Sequence, residues 1–278
     1  MKRLPALVLT LVIFYSGFGQ NKSCCQMPAS NQMLALNESF AATHLPPAPF
    51  TLQNSKGRMV VFKTADGKTG RAYVVKSDKP TDKVVFMFHE WWGLNDYIKR
   101  EADNLQSELG NVDVYALDLF DGAVATTVPE AQQYMSETKD ERCRAIIRGA
   151  IAMAGSRAKI ASIGWCYGGG WSLQSALLEG PQAVACVMYY GLPETDLKKL
   201  KTLHCDVLGI FGTQDKFINP EVVKTFEENM KKCGKKITTH SYDADHAFAN
   251  PSNPKYSKEF AADAHAKALL YLKERLGL

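Results

Sequence analysis

The chain has 278 residues, 46% of them hydrophobic and 22% charged, with a formal net charge of +4. This is ordinary globular composition, and the length suits one large α/β domain or two small ones. Lys and Arg are scattered rather than clustered, so the mild positive excess gives no footing for nucleic acid.

Residues 1–19 stand apart from the fold. Lys2 and Arg3 make a basic start, Leu4 to Tyr15 is an almost unbroken apolar run, and Gly17-Phe18-Gly19 places small residues where a signal peptidase reads. The run is short for a membrane span. A cleaved signal peptide is therefore expected, giving a periplasmic or secreted protein with no stable membrane insertion after cleavage; an uncleaved anchor is the competing reading. Lipidation at Cys24 is disfavoured, because Asn21-Lys22-Ser23 is polar where such a site needs an apolar residue.

Residues 20–55 read as an N-terminal extension, with Pro46-Pro47-Ala48-Pro49 as a stiff linker. Beyond it, Met59 to Phe62 and Ala72 to Val75 form a leading strand pair around the turn signal Asp66-Gly67. Lys83 to His89 is a continuous apolar strand of the kind buried on both faces of a parallel sheet. Ile98, Ala102, Leu105 and Leu109 then follow helical spacing. Val112 to Leu117 is the next strand, and residues 129–154 are helical in pattern. Lys159 to Ile163 is a short strand running into Gly164-Trp165-Cys166-Tyr167-Gly168-Gly169-Gly170 and a helix. Ala183 to Tyr190 and Val207 to Phe211 are further apolar strands. Asn219-Pro220 caps a helix, Lys236 to Tyr242 is a final strand, and about Lys255 to Leu276 is a closing helix. Such alternation predicts an α/β fold, a mostly parallel sheet with helices on both faces.

Seven cysteines are present, an odd number, so at least one lies outside any intramolecular bridge. Cys186, in an apolar run, reads as a small buried hydrophobe. Cys24-Cys25 reads as part of a polar tail, with an interchain bridge or a metal as the alternatives. No CxxC pattern exists, so zinc and thioredoxin-like readings have no support.

Gly164-Trp165-Cys166-Tyr167-Gly168 matches the nucleophile-elbow spacing, with Cys where most such enzymes carry Ser. A turn this tight between strand and helix leaves no room for side chains at 164 and 168. It sets the sulfur at a helix N-terminus, where the dipole favours a thiolate, and the Tyr167 N–H beside a developing oxyanion. Downstream, Asp215 follows the strand ending at Phe211, and His246 follows the strand ending at Tyr242. Strand C-terminal ends share one side of a parallel sheet, so Cys166, Asp215 and His246 are expected to converge, His246 taking the thiol proton and Asp215 orienting the ring. His44, His89, His204, His240 and His265 lack comparable placement. Glu90 ends a buried strand on the same edge beside two tryptophans, so its pKa should be raised.

With His89-Glu90-Trp91-Trp92-Gly93, Gly212-Thr213-Gln214-Asp215 and His246-Ala247-Phe248 added to the elbow, the chain from about residue 57 to 278 resembles the dienelactone hydrolases. The resemblance implies an α/β-hydrolase domain over 56–278 and a Cys166-His246-Asp215 triad. It implies a Glu90 that contacts the resting thiol, and an oxyanion hole from the Trp91 and Tyr167 backbone N–H groups. Family members that act on an anionic lactone hold its carboxylate with two arginines. The corresponding loops here, Phe120-Asp121-Gly122-Ala123 and Phe248-Ala249-Asn250, carry none. A neutral ester, lactone or thioester is expected in a pocket of Trp92, Phe120 and Phe248, with Lys99 or Arg100 as a substitute cation if the substrate is anionic. The expected enzyme acts on small molecules as a monomer, without metal or organic cofactor. A thiol redox sensor using Cys166 and a non-catalytic binding protein are the readings from other classes.

Overall fold

The computed structural model describes residues 30–253 and 255–278; residues 1–19, where a signal peptide is expected, and Cys24-Cys25 lie outside the described residues. At the centre are β3 (Lys83–Phe88), β5 (Lys159–Trp165), β6 (Ala183–Tyr189) and β7 (Val207–Gly212), in which nearly every side chain is buried. Sequences this apolar have no face to offer water, so helices must cover both sides of the sheet. A hairpin of β1 (Arg58–Lys63) and β2 (Thr69–Val75), with β4 (Asp113–Leu117) and β8 (Ile237–Tyr242), completes the order β1-β2-β4-β3-β5-β6-β7-β8. β2 pairs antiparallel with β1 and β4, and every other pair is parallel.

Helix α3 (Asp96–Leu109) packs with α9 (Lys258–Leu276) on one face, and α5 (Asp140–Ala154) with α6 (Tyr167–Glu179) on the other. α3 starts where the Asn95 side chain accepts from the Ile98 N–H, and it buries Ala102, Leu105 and Leu109 as their spacing predicts. Residues 129–154 are two helices rather than one. α4 (Val128–Glu137) opens on a Thr127/Glu130 capping box and ends at Thr138, whose backbone is extended and whose hydroxyl donates to the Tyr134 carbonyl at 2.6 Å. α7 (Leu197–Leu200) and α8 (Pro220–Lys232) flank β7.

The chain leaves β3 outward to β4 and returns across β3 to β5. That reversal opens a crevice at the strand C-terminal ends, the place where open α/β sheets bind ligands. Here it lies between Glu90 and Cys166.

The N-terminal extension is not a detached linker. Helices α1 (Asn31–Ala35) and α2 (Glu38–Ala41) bury Leu34, Ala35, Phe40 and Ala41, and His44 just beyond is buried too. Gln32 donates to the Thr138 carbonyl at 3.3 Å and Gln132 to the Ala35 carbonyl at 3.1 Å, tying α1 to α4. The proline segment then lies along α3: Tyr97 donates to Ala48 O, and Asp96 accepts from the Leu52 N–H. Helices of five and four residues are too short to show a hydrophobic period, so the sequence does not reveal this strap. No helix among the described residues is long and apolar enough to cross a membrane.

Candidate active site

Cys166 stands between β5 and α6 with φ 53° and ψ −117°, a conformation that non-glycine residues adopt only under constraint. The constraint is close backbone packing. A Cβ at Gly164 would sit 2.1 Å from the Gly168 carbonyl oxygen, and one at Gly168 would sit 2.3 Å from that of Phe88. The elbow holds the sulfur over the start of α6, whose first N–H, that of Tyr167, has no partner within the helix. The Trp91 N–H likewise makes no backbone hydrogen bond among the described residues.

Three of the sequence-predicted residues meet. Cys166 Sγ lies 3.2 Å from His246 Nε2, and His246 Nδ1 lies 2.6 Å from Asp215 Oδ2. Asp215 Oδ1 accepts from the N–H groups of Phe217 and Ile218 at 2.8 and 3.0 Å, so the carboxylate is fixed from both ends. Asp243 and Asp245 turn away from the ring, toward Gln214 and Lys255. All three groups are buried. Burial pushes the Cys166 thiol above its ordinary range against the pull of His246. For His246, burial is the largest influence and acts downward, but the Asp215 carboxylate and Cys166 together raise the ring well above its ordinary range. For Asp215, burial acts upward, and the pull of His246 keeps the carboxyl below its usual range.

Glu90 also lies in this crevice, but its carboxylate has no hydrogen bond to the thiol. Oε2 accepts from the Asn250 amide, while Oε1 is buried without a partner among the described residues. Burial pushes Glu90 up to about 7, against His246 and the Asn250 amide. Asn250 marks a missing arginine in the sequence; in the fold it holds Glu90. His89 ties the ends of β3 and β4 together: Nδ1 lies 2.6 Å from the Glu90 carbonyl, and Nε2 accepts from the Leu119 N–H at 3.1 Å. Burial lowers its pKa to about 4, so it does this as a neutral ring.

The residue that the sequence reading left out is His44. Its Nε2 faces Cys166 Sγ at 3.9 Å, and its Nδ1 lies 2.8 Å from the Phe40 carbonyl. The ring packs on Trp91, with centroids 4.4 Å apart, and tilts against His246 at 5.3 Å. Burial, with His246 adding to it, lowers the His44 pKa to about 3. Phe40 packs edge-on to Trp91, Phe217 and His246. The strap therefore covers the thiol, which is only 3% exposed. Nothing in the Pro-rich sequence around His44 signals this contact.

A cavity of about 380 Å³ opens beside Glu90 and Asn250, lined by Trp92, Trp165, Tyr189 and Tyr256 among others. Trp92 is thus placed as expected. Phe120 and Phe248 are not: Phe120 packs on His89 and Tyr167, and Phe248 on Tyr190 and Tyr242, both inside the core. Arg100 does line the cavity, but its guanidinium stacks over Phe50 and Tyr97 at 4.7 and 5.2 Å from the ring centroids. Lys99 pairs with Asp96 at 2.8 Å.

A parallel sheet with a cysteine on a strained strand-to-helix elbow, and an acid and a histidine brought to it from later strand ends, defines an α/β-hydrolase. Solved structures agree on the fold. A putative dienelactone hydrolase from Klebsiella pneumoniae superimposes with a TM-score of 0.67 at 21% identity, over 78% of this chain and 99% of its own. An acylaminoacyl peptidase from Pyrococcus horikoshii gives 0.60 at 14% identity, over 81% and 42%. The chain belongs to the dienelactone hydrolase family, whose sequence profile matches residues 71–276, and it is a carboxylic ester hydrolase. It is 26% identical to a putative carboxymethylenebutenolidase of Aquifex aeolicus, over 79% of this chain and 99% of that protein. A carboxymethylenebutenolidase of Pseudomonas sp. is 34% identical over 136 residues, 46% of this chain and 54% of its own.

Proposed function

We propose that the protein cleaves a neutral carboxylic ester, lactone or thioester through an acyl-cysteine intermediate on Cys166. The observation that carries this reading is the unbroken chain from Cys166 Sγ through His246 to Asp215, with links of 3.2 and 2.6 Å. His246 takes the Sγ proton as sulfur bonds to the substrate carbonyl carbon, and the carbonyl electron pair moves to oxygen. The Trp91 and Tyr167 N–H groups stabilise that oxyanion. Its collapse breaks the bond to the leaving group, which takes the proton from His246. Water then attacks the acyl-cysteine with His246 as base, releasing the acid and restoring the thiol. Glu90, poised near neutrality, sets the charge around the thiol. Phe40 and His44 must shift for an acyl group to reach sulfur.

The neutral-substrate reading is supported by the cavity. Trp92, Trp165, Tyr189 and Tyr256 contribute to its walls, Arg100 is engaged by two rings, and the carboxylates of Glu90, Glu101 and Glu108 share the lining with Lys258. An anionic substrate would meet these carboxylates without a free bidentate arginine. The leader supports action outside the cytoplasm, and we infer a monomer. One preparation assayed on a short neutral ester and on the anionic dienelactone tests the reading. The expected result is higher kcat/KM for the neutral ester and no turnover by Cys166→Ala. Turnover surviving in that variant removes the cysteine route; efficient dienelactone hydrolysis removes the neutral substrate.

A further inference from the structure

The proposed hydrolysis uses one histidine at the thiol, yet two are built there. Among the described residues, one group of His, Cys, Asp and Glu side chains converges as a metal site would: His44, Cys166 and His246, with ligand atoms all within 4.8 Å of one another. The two N···S separations are 3.2 and 3.9 Å. A tetrahedral zinc ion with Zn–N near 2.0–2.1 Å and Zn–S near 2.3 Å spaces an N···S pair by roughly 3.6 Å and its two nitrogens by roughly 3.4 Å. Both N···S pairs lie close to the first value, and the two imidazole nitrogens, within 4.8 Å of one another, must draw together to complete the set.

Both rings are oriented as metal-binding imidazoles are. His246 directs Nδ1 at the Asp215 carboxylate, and His44 directs Nδ1 at the Phe40 carbonyl, 2.6 and 2.8 Å away. Each Nε2 is left facing the sulfur. A carboxylate or backbone carbonyl behind a histidine is the usual outer support of a metal ligand. Charge also suits burial: a divalent cation is balanced by the Cys166 thiolate and the Asp215 carboxylate together. One sulfur and two imidazoles favour zinc or copper over magnesium or calcium.

We propose that His44, Cys166 and His246 bind a thiophilic divalent cation, Zn²⁺ foremost, which holds the hydrolase inactive until it leaves. Binding forms Zn–S and two Zn–N bonds, releases the thiol proton to solvent, and leaves the fourth position to water. It occupies the sulfur lone pair needed for attack and the His246 lone pair needed for proton transfer. His44 rides on the strap, whose two helices have only five and four residues. The cation therefore enters with the strap lifted and is enclosed as it closes. The inhibition rests on the acyl-cysteine reading; the binding does not.

The test uses metal-stripped full-length protein titrated with Co²⁺, which reports thiolate ligation and tetrahedral geometry in its absorption, followed by displacement with Zn²⁺. One equivalent of Co²⁺ should give a thiolate-to-cobalt band that is lost in Cys166→Ser and kept in a Cys24→Ser/Cys25→Ser chain. In His44→Ala the Co²⁺ affinity should fall at least tenfold. The Zn²⁺ needed for half inhibition, relative to that variant's own metal-free rate, should rise by a similar factor. His44→Gln, which retains the bulk of the ring's packing, guards against a folding defect and should behave like the alanine variant. A band unchanged in both His44 variants, or one that follows Cys24 and Cys25, overturns the site. A His44-dependent band in a protein whose esterase activity survives Cys166→Ala keeps the site and sinks the acyl-cysteine reading.

Discussion

At the residue scale, the strained backbone of Cys166 has a purpose: it stands the sulfur clear of β5, toward a histidine that arrives 80 residues later in the chain. Cys166→Ser should keep the fold and lose most of the turnover, because a hydroxyl is harder to deprotonate than a thiol; a serine variant with wild-type kcat contradicts the assignment. Glu90 gives a pH prediction of defined sign. Held near 7 by burial, it is neutral below that pH and anionic above it, where its charge opposes formation of the Cys166 thiolate. Glu90→Gln removes that opposition, so iodoacetamide labelling of Cys166 should accelerate above about pH 7 and its profile should move to lower pH. An unchanged profile would reduce Glu90 to a structural residue. The order of elbow, Asp215 and His246 was legible because each follows an apolar strand whose C-terminal end is fixed by topology. The Asn250–Glu90 contact was not, since it joins side chains 160 positions apart with no shared periodicity. His44 was hidden for the same reason.

At the scale of elements, the strands and long helices follow the apolar pattern, and departures occur where that pattern carries no information. Thr138 breaks residues 129–154 into α4 and α5 through a hydroxyl-to-carbonyl bond, a local choice that hydrophobic spacing does not encode. The strap is the larger case. What covers the thiol is residues 38–44, not the helices over 129–154, and its anchor is the fully buried Phe40. Burying a phenylalanine side chain is worth about 1.5–3 kcal/mol, or roughly ten- to a hundredfold in the ratio of closed to open strap. Phe40→Ala should therefore speed iodoacetamide labelling of Cys166 by at least roughly tenfold while far-ultraviolet circular dichroism stays the same. Equal labelling rates would mean that reagent and substrate reach the sulfur by another path, through the cavity beside Glu90.

For the whole molecule, the sheet was legible as a mostly parallel α/β arrangement, whereas its buried carboxyls emerge only from packing. Burial raises Asp118 to about 6, Glu90 to about 7 and Glu179 to about 8, the last accepting a hydrogen bond from Ser175. Each folded-state pKa lies above its unfolded value, so between those values the unfolded chain gives up protons that the native state retains. Stability should accordingly fall as pH rises from about 5 to about 8. Glu179→Gln removes one of these groups and should raise Tm more at about pH 9 than at about pH 5; an equal change at both would refute the buried-carboxyl account. The proposal of export is tested at this scale too. Protein recovered from its native envelope should have lost a segment ending near Gly19, and full-length chain in the membrane fraction would favour an uncleaved anchor.

The central claim, hydrolysis through an acyl-cysteine on Cys166, is tested most directly by the mass of the protein acid-quenched during turnover of an activated neutral ester. The account predicts one added acyl group, located on the peptide containing Cys166, lost on further incubation and absent from Cys166→Ala. Steady turnover with no adduct on Cys166, and with full activity in the alanine variant, would contradict it.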